Sequence, residues 1–422
     1  MAGPIPLILR ARAVLPIRLP PIANGAVVIA GNRIAAVGCW SDLRARFSGP
    51  VHDLGEVALL PGLVNAHCHL DYTHMAGRFP PQKSFCDWIK LITTEKAHWT
   101  FSDFAASWIE GAKMLLRTGT TAVGDIEAVP ELLPDVWNAT PLRVISFLEM
   151  TGVRSRKDPE TILHEAVGRM DSLAPHRCHA ALSPHAPYST TPRLMEGTAA
   201  LARKRKLRVA THVAESATEF EMFQHARGEM FDWLRRNERT MTDCGGVSPV
   251  QLLARHRALT SNLLAIHVNY LAPGDAQLLA KNQVNVIHCP RSHDYFQHQE
   301  FPYRALTRAG VNPCLGTDSL ATVRRHPRRD LELNMFLEMR AFAKKHPDVP
   351  ARTILRMATI NGARGLGLSG KVGELRPNAF ADLIALPCRE KLADIYEDVV
   401  HYPGNVTASM IGGDWAIKPA SY

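Results

Sequence analysis

The feature that most constrains the fold is a regular alternation of short apolar runs with helix-like stretches through the middle of this 422-residue chain. Short apolar runs separated by amphipathic helices are typical of parallel strands that crossover helices cover on both faces. The eight runs span residues 58–66, 120–126, 142–148, 178–183, 207–211, 263–266, 284–287 and 311–315. Eight such units predict an α/β fold, the (β/α)8 TIM barrel, with a doubly wound open sheet as the alternative.

Two of the intervening stretches are examples of predicted helices, and the first carries signals at both ends. The first predicted helix spans residues 102–117, with Ser102 as its N-cap and Gly119 beyond its end. The second predicted helix spans residues 191–206. Hydroxyl side chains accept hydrogen bonds from the free N–H groups of a first turn, and glycine favours the end of a helix. Helices therefore separate the predicted strands.

The two ends of the chain resemble each other and differ from the middle. Residues 25–38 predict a hairpin with a Gly-Asn turn, and residues 380–386 and 406–417 predict further strands with a Gly-Gly turn. Neither end has enough strands to be stable alone. We therefore expect a small β-sandwich formed from both termini, residues 1–58 and 368–422, next to a barrel domain of residues 59–367. Two unrelated hairpins are the alternative.

Composition and charge exclude several classes of partner. Apolar residues make up 46% and charged residues 21%, which is ordinary for a soluble globular protein. The net charge of +9 is not gathered into a stripe with interleaved aromatic residues, so no nucleic-acid partner is expected. No run approaches the ~20 apolar residues that a membrane span needs, so no membrane association is expected. The eight cysteines form no C-x-x-C pair, which favours reduced thiols and a cytoplasmic protein.

Potential metal ligands follow four of the predicted strands. The first strand ends in His67 and His69, which strand alternation places on one face. The fifth strand ends in His212, the sixth in His267, and the eighth is followed by Asp318. One histidine at a strand end is more often a hydrogen-bonded core residue, but such a series at one end of a barrel indicates a metal site. Nitrogen and carboxylate ligands suit zinc or iron.

Glu215 lies three residues after His212, in the sequence THVAES. It would then stand on the loop above the metal. A solvated glutamate that opens the next helix is the simpler interpretation. The functional interpretation is a general acid and base beside the hydrolytic water.

Six motifs give the chain a family resemblance. The sequence resembles the amidohydrolase superfamily, in the branch related to cytosine deaminases and chlorohydrolases, over nearly its whole length. The segment SPHAPYS is similar to a motif of the S-adenosylhomocysteine, methylthioadenosine and aminofutalosine deaminases. The resemblance implies a (β/α)8 barrel and a homodimer. The motifs are PGLVNAHCHL, SPHAPYS, THVAES, IHVNYL, HCPRS and GTDS.

The resemblance also implies roles for individual residues. It makes metal ligands of His67, His69, His212 and Asp318. Two further groups, Glu215 and His267, would surround the hydrolytic water together with Asp318, and His185 would contact the substrate. Relatives with two metals carry a carboxylated lysine after the fourth strand. This chain has no lysine there, which implies one divalent metal per chain, Zn²⁺ with Fe²⁺ as the alternative.

The chemistry implied by this set is hydrolytic deamination of an amino-heterocycle, a small-molecule substrate. Dechlorination of a triazine or hydrolysis of a cyclic amide on the same site is the first alternative. A catalytically inactive binding protein is the second. The chain departs from the family at Ser292-His293 and in the loop of residues 71–75, which leaves the substrate open. His74, His288 and His293 are interpreted as structural or peripheral.

Three arginines follow predicted strands and suggest an acidic substrate. Arg291 follows the seventh strand, and Arg154 and Arg156 follow the third. Arginine binds carboxylates in a bidentate manner. We therefore expect these arginines to bind substrate, and the substrate to be a 5′-substituted adenosine with an acidic tail, similar to aminofutalosine. The alternative is that each arginine is a surface residue or pairs with a nearby acid.

Overall fold

Two sheets of eight strands each organise the chain. The computed structural model describes residues 5–153, 157–174, 177–325, 330–388 and 391–420. The first sheet contains β1 Leu7–Val14, β2 Ile22–Ala30, β3 Arg33–Cys39, β4 Val51–Asp53, β5 Val57–Pro61, β14 Leu383–Pro387, β15 Ala408–Ile411 and β16 Asp414–Ile417. The second contains β6 Leu63–Cys68, β7 Thr120–Glu127, β8 Arg143–Met150, β9 His179–Pro184, β10 Val209–Val213, β11 Leu263–His267, β12 Asn285–His288 and β13 Asn312–Leu315.

The second sheet is the predicted barrel. Each strand from β6 to β13 pairs in parallel with the next one along the chain. A parallel bridge between Cys68 and Asp318 brings the last strand back to the first. The eight predicted strands and the (β/α)8 barrel are therefore confirmed, and the open sheet is wrong.

Closure of the barrel depends on the residues that join β6 to the end of β13. The Asn65 side chain donates to Thr317 Oγ1 at 2.7 Å and accepts from the Thr317 backbone at 3.0 Å. The carbonyl of His67 accepts from the backbone N–H groups of Thr317 and Asp318 at 3.0 and 3.2 Å. A Cβ on Gly316 would lie 2.8 Å from that carbonyl oxygen, so only glycine permits this close approach.

Helices cover the outside of the barrel, except that the first helix, Trp40–Arg46, packs against β2 and β3 of the first sheet. The predicted helix at 102–117 is α3, but its N-cap is Thr100, because Thr100 and Asp103 form a reciprocal capping box. The prediction of Ser102 as the N-cap is wrong. Thr191 caps α6. The helices are α1 Trp40–Arg46, α2 Phe85–Lys96, α3 Phe101–Arg117, α4 Leu133–Asn138, α5 Pro159–Ser172, α6 Pro192–Arg205, α7 Ala217–His225, α8 Glu229–Arg236, α9 Pro249–Arg255, α10 Asp275–Lys281, α11 Pro290–Phe296, α12 Tyr303–Ala309, α13 Met335–Lys345, α14 Ala351–Met357, α15 Ile360–Gly365 and α16 Ile395–Val400.

Among these described helices, none combines the length and the apolarity that crossing a bilayer requires.

Apolar side chains fill the space between helices and strands and the interior of the barrel. The interior is filled below the strand ends, so the barrel is a packed core and not a pore. Its interior cluster includes Val64, Ala66, Ala122, Ile145, Ala181, Ala210, Ile266, Ile287 and Cys314.

The first sheet is built from both ends of the chain. Its strand order is β16-β15-β14-β5-β1-β2-β3, and β4 pairs with β1. β5 joins the two ends, because it pairs in parallel with β1 and antiparallel with β14. The prediction that both termini form one small β unit beside the barrel is confirmed. The predicted boundary between residues 58 and 59 would cut β5, which belongs to the first sheet. We therefore propose that residues 1–61 with 368–422, and residues 63–367, are the two folding units, divided at Gly62.

A buried ion pair ties the barrel to the terminal sheet. Arg143, at the start of β8, donates two hydrogen bonds to Asp382 at 2.5 and 3.0 Å. The Asp382 side chain is fully buried and also accepts from the backbone of Gly412. The guanidinium group lies 3.8 Å from the centre of the Phe380 ring. Because both charges are removed from water, each depends on the other for its solvation.

We predict that Asp382→Ala lowers the free energy of unfolding by about 3–5 kcal/mol, because it leaves the Arg143 charge buried without a counterion. Urea unfolding followed by circular dichroism measures the change. Asp171→Ala is the matched control, since it removes the exposed pair between Asp171 and Arg205 and should change stability little. Equal effects of the two substitutions would contradict the prediction.

Candidate active site

Six ionisable side chains converge at the carboxyl end of the barrel strands. Each comes from the end of a strand or from the loop that follows it, as parallel strands of a barrel require. All six are buried. They are His67 of β6, His69 directly after β6, His212 of β10, His267 of β11, Glu215 after β10 and Asp318 after β13.

The first group consists of three histidines and one carboxylate. Ligand atoms of His67, His69 and His212 all lie within 4.8 Å of one another. Asp318 Oδ1 lies 3.5 Å from His67 Nε2 and 3.7 Å from His69 Nε2. Three imidazoles and a carboxylate around one point make a donor set suited to a divalent metal.

The second group shares Asp318 with the first. Ligand atoms of Glu215, His267 and Asp318 also lie within 4.8 Å of one another. Glu215 Oε1 is 3.4 Å from His267 Nε2. The Asp318 carboxylate thus faces His67 and His69 and also stands beside an acid and an imidazole that can exchange protons.

Hydrogen bonds orient several of these groups. His212 Nδ1 lies 3.0 Å from the carbonyl oxygen of His185, so Nδ1 carries the proton and Nε2 keeps its lone pair. Thr322 Oγ1 donates to Asp318 Oδ2 at 3.2 Å, while Oδ1 faces His67 and His69. Such contacts fix the direction of ligands before a metal binds.

Buried atoms without partners show that the residues fit a metal ion. Within the described part of the chain, both ring nitrogens of His67 and Nε2 of His267 are buried and make no hydrogen bond. A buried polar atom without a partner costs about 1–3 kcal/mol. A divalent cation would satisfy the inward-facing nitrogens, and the residues present therefore define a divalent metal site.

The backbone carries left-handed conformations at the ends of the strands. His267 has φ of 72°, Asp318 has φ of 54° and Ala214 has φ of 49°. Side-chain-bearing residues adopt this region at a cost, and such residues cluster at functional sites. These three left-handed residues lie where β10, β11 and β13 end, beside or within the cluster of ionisable side chains.

Burial sets the protonation of the site in the absence of a metal. Burial lowers the pKa of His69 and of His212 well below the ordinary value, so both rings are neutral, as metal ligands must be. Burial also lowers the pKa of His267, to about 3. Burial, followed by the charges of Asp318 and Glu219, raises the pKa of Glu215 well above its usual range.

The loop that carries Glu215 is held by a second buried glutamate. The two carboxylate oxygens of Glu219 accept from the backbone N–H groups of Ala214 and Glu215, at 3.1 and 2.8 Å. Asn269 Nδ2 donates to the carbonyl of Glu215 at 2.9 Å. The backbone of Glu215 is therefore fixed from both sides, and its side chain is aimed at His267.

A cavity of about 530 Å³ opens above the cluster. His185 lines it, with Nε2 3.8 Å from Glu149 Oε1 and Nδ1 2.5 Å from Ser189 Oγ. Tyr72 stacks on His69 and accepts a hydrogen bond from Lys96. Further lining residues come from α2 and α8, namely Trp88, Ile89, Lys90, Ile92, Thr93, Thr94, Trp233 and Leu234.

The predicted histidine ligands meet at the site, but the one predicted substrate-binding arginine among the described residues does not line the cavity. Arg291 donates to both Glu338 and the carbonyl of Glu332, and it does not line the described cavity. Glu338 is fully buried and binds this guanidinium group, so Arg291 is occupied within the protein. Arg154 and Arg156 lie outside the described residues. The arrangement gives no support to Arg291 as a substrate contact.

Sequence reasoning missed the walls of the cavity. Glu149 is the next-to-last residue of β8, and an acid at a strand end was a signal that could have identified it. Trp88, Trp233 and Lys96 belong to helices whose path over the barrel mouth leaves no periodic signal in the sequence. His288 and His293 do not line the cavity, and His288 stacks on Phe301 instead.

A (β/α)8 barrel with three histidines and an aspartate at the carboxyl ends of its strands defines a metal-dependent barrel hydrolase. The chain matches the amidohydrolase family over residues 58–416 and belongs to that family. It is a hydrolase that acts on carbon–nitrogen bonds other than peptide bonds.

Similar proteins match most of the length of the chain. The chain is 30% identical over 412 residues to a 5-methylthioadenosine/S-adenosylhomocysteine deaminase of Nitratidesulfovibrio vulgaris, covering 93% of this chain and 87% of the relative. It is 28% identical over 353 residues to an aminodeoxyfutalosine deaminase of Deinococcus radiodurans, covering 81% of each. It is also similar to the solved structure of a zinc-bound adenosine deaminase from Xanthomonas campestris, with TM-score 0.82, 25% identity and coverage of 99% and 94%.

Proposed function

We propose that this chain is a hydrolytic deaminase of adenosine-type nucleosides that uses one zinc ion. The observation that carries the proposal is a pair of adjoining buried groups that Asp318 links through its contacts with His67 and His69. One group is suited to hold a metal and the other to move protons. Deaminases of adenosine derivatives among the similar proteins support the choice of reaction and substrate class. The zinc bound to the Xanthomonas campestris adenosine deaminase supports the choice of zinc over iron as the metal.

In this proposal, His67, His69, His212 and Asp318 hold the metal. When bound, the metal supplies Lewis-acid activation of water. The absence of a lysine after β9, where the chain reads Ser183-Pro184-His185, supports a single metal ion.

The remaining steps are proton transfers by the chain's own side chains. Asp318 accepts a proton from the attacking water, and His267 orients that water through Nε2. Glu215 gives its proton to the ring nitrogen, takes up the proton of the new hydroxyl group on the carbon, and delivers that proton to the amino group as it departs. The proton held by Asp318 then passes to Glu215, whose carboxylate oxygens lie within 4.8 Å, so both side chains return to their starting states. The carbon–oxygen bond forms, the carbon–nitrogen bond breaks, and the products are the oxo-heterocycle and ammonia. The raised pKa of Glu215 supports its role as the acid.

The substrate proposed is an adenosine with an acidic 5′ substituent, aminofutalosine-like compounds being the first to try. The size of the cavity supports a substituted nucleoside. His185 is the proposed contact at the base, and Arg154 and Arg156 remain proposed contacts of the acid. Lys90 and Lys96 line the cavity and add positive charge near its walls. We also propose a homodimer, as the resemblance implies, and a cytoplasmic location, which the absence of C-x-x-C pairs among the cysteines supports.

An ammonia-release screen tests the proposed function. The panel should pair acidic with neutral 5′-substituted adenosines, and it should include guanine, cytosine, a triazine and a cyclic amide. We expect ammonia from the adenosines, with kcat/KM higher for the acidic compounds. An equal or higher kcat/KM for the neutral compounds would contradict the proposed preference for an acidic 5′ substituent. If the enzyme releases chloride from the triazine or opens the ring of the cyclic amide, and has no activity on adenosines, the proposed deamination is wrong and the corresponding alternative reaction is supported.

For the metal, we predict that His69→Ala loses metal and activity together, because it removes one of four ligands. Elemental analysis of the wild-type protein should give one zinc per chain, and the variant should bind less than one. His256→Ala is the control, since His256 pairs with Glu196 away from the cavity and should keep both metal and activity. Two tightly bound metals in a fully active preparation would overturn the single-metal proposal.

For Glu215, we predict that Glu215→Gln keeps the metal and the fold but lowers kcat by about 10²–10⁴-fold, the range of a general acid–base group. The amide cannot deliver and recover a proton as the carboxyl group does. Glu221→Gln is the control on the neighbouring helix, where Glu221 pairs with the exposed Arg227. Activity of Glu215→Gln within a few-fold of the wild type would remove Glu215 from the mechanism.

A further inference from the structure

Two walls of the cavity come from segments outside the barrel sheet. The loop after β9 supplies His185, Tyr188 and Ser189, and the helix α8 supplies Trp233 and Leu234. The loop has no regular secondary structure between β9 and α6. Contacts with other segments must therefore fix the position of Tyr188 relative to the tryptophan side of the cavity.

Arg239 makes the contacts that join these walls. It lies three residues beyond the end of α8 and is buried, although it does not line the described cavity. Its Nε donates to the carbonyl of Tyr188 at 3.0 Å, and its Nη2 donates to the carbonyl of Pro187 at 3.0 Å. Its Nη1 donates to the carbonyl of Thr240 at 2.8 Å. One guanidinium group thus binds the loop after β9 and the loop after α8 simultaneously.

Asp243 neutralises this buried charge. The two carboxylate oxygens accept from Nη1 and Nη2 of Arg239 at 2.7 and 2.8 Å. Both side chains of the pair are almost completely buried. A planar guanidinium group can serve two backbone carbonyls and a bidentate carboxylate together, which the single ammonium of a lysine cannot do.

We infer that Arg239 is a positioning residue that sets the separation of Tyr188 from Trp233 and Leu234, and thereby determines which 5′ substituents the enzyme accepts. The specificity part of this inference rests on the proposed function. Tyr188, Trp233 and Leu234 present mainly apolar surface to the cavity, so the part of the substrate between them should be apolar, with any charged end beyond it.

The reacting groups do not depend on Arg239. They stand at the ends of β6, β10, β11 and β13, and none of them contacts the guanidinium group. His185 has its own anchors to the barrel, because its backbone donates to the carbonyl of Met150 and accepts from the backbone of His212. Loss of Arg239 should therefore change the binding of the substituent and leave the chemical step nearly unaltered.

The kinetic test compares a short and a long substrate. Arg239→Lys and Arg239→Met should raise KM for S-adenosylhomocysteine by about ten-fold or more, the equivalent of one lost charged hydrogen bond. For 5′-deoxyadenosine, which lacks the substituent, both kcat and KM should stay within about two-fold of the wild type, since Arg239 does not line the cavity and its loss removes no contact with this substrate. Arg235→Met is the control, because Arg235 is exposed on α8 and pairs with Asp232. Equal changes for both substrates, or no change, would overturn the inference.

A second test does not depend on the substrate. Hydrogen–deuterium exchange of the metal-loaded proteins should be faster in Arg239→Met at residues 186–191 and 229–236, and unchanged in peptides from β6, β10 and β11. Unchanged exchange in both wall segments would overturn the positioning role. If the wild-type enzyme deaminates no adenosine derivative, the proposed function fails while this measurement still decides the role of Arg239. If Arg239→Met does not fold, Arg239→Lys serves for both tests.

Discussion

The contact between β6 and the end of β13 determines where the metal site can form. The carbonyl of His67 accepts two backbone hydrogen bonds from Thr317 and Asp318, and this approach requires glycine at position 316. The same contact that closes the barrel holds the Asp318 carboxylate against His67 and His69. Barrel closure therefore also brings Asp318 to two of the histidines of the metal site, while contacts within the loops orient the carboxylates of Glu215 and Asp318.

Much of the fold could be predicted from sequence because strand burial leaves a local signal. All eight barrel strands lie where apolar runs were identified, since each is covered by helices on one side and by the barrel interior on the other. The first apolar run, residues 58–66, was predicted as one barrel strand. Residues 57–68 instead form two strands that belong to different sheets and are divided at Gly62. The first residue of a helix was harder to predict than the position of a strand, because neighbouring residues can serve equally well as the N-cap. Ser102 and Thr100 are both good caps, and only the partner Asp103 decides between them.

The site divides into a part that sequence can reveal and a part that it cannot. Ligand-type residues at strand ends could be identified because strand direction alone brings them to one face of the barrel. Arg291 also follows a strand, but it is the second residue of α11 and turns toward Glu338 on α13. The cavity walls of α2 and α8 depend on long-range packing, for which neither Trp88 nor Trp233 carries a local signature.

The pairing of β5 with β14 has a consequence for synthesis of the chain. These strands are neighbours in one sheet, yet the whole barrel lies between them in sequence. On the ribosome, one edge of β5 stays without its partner until the barrel has been made and β14 has emerged. An apolar strand with a free edge is prone to pair with other chains. The nascent protein therefore carries an aggregation-prone edge for most of its translation, and a chaperone that shields the N-terminal strands would raise the yield of native enzyme.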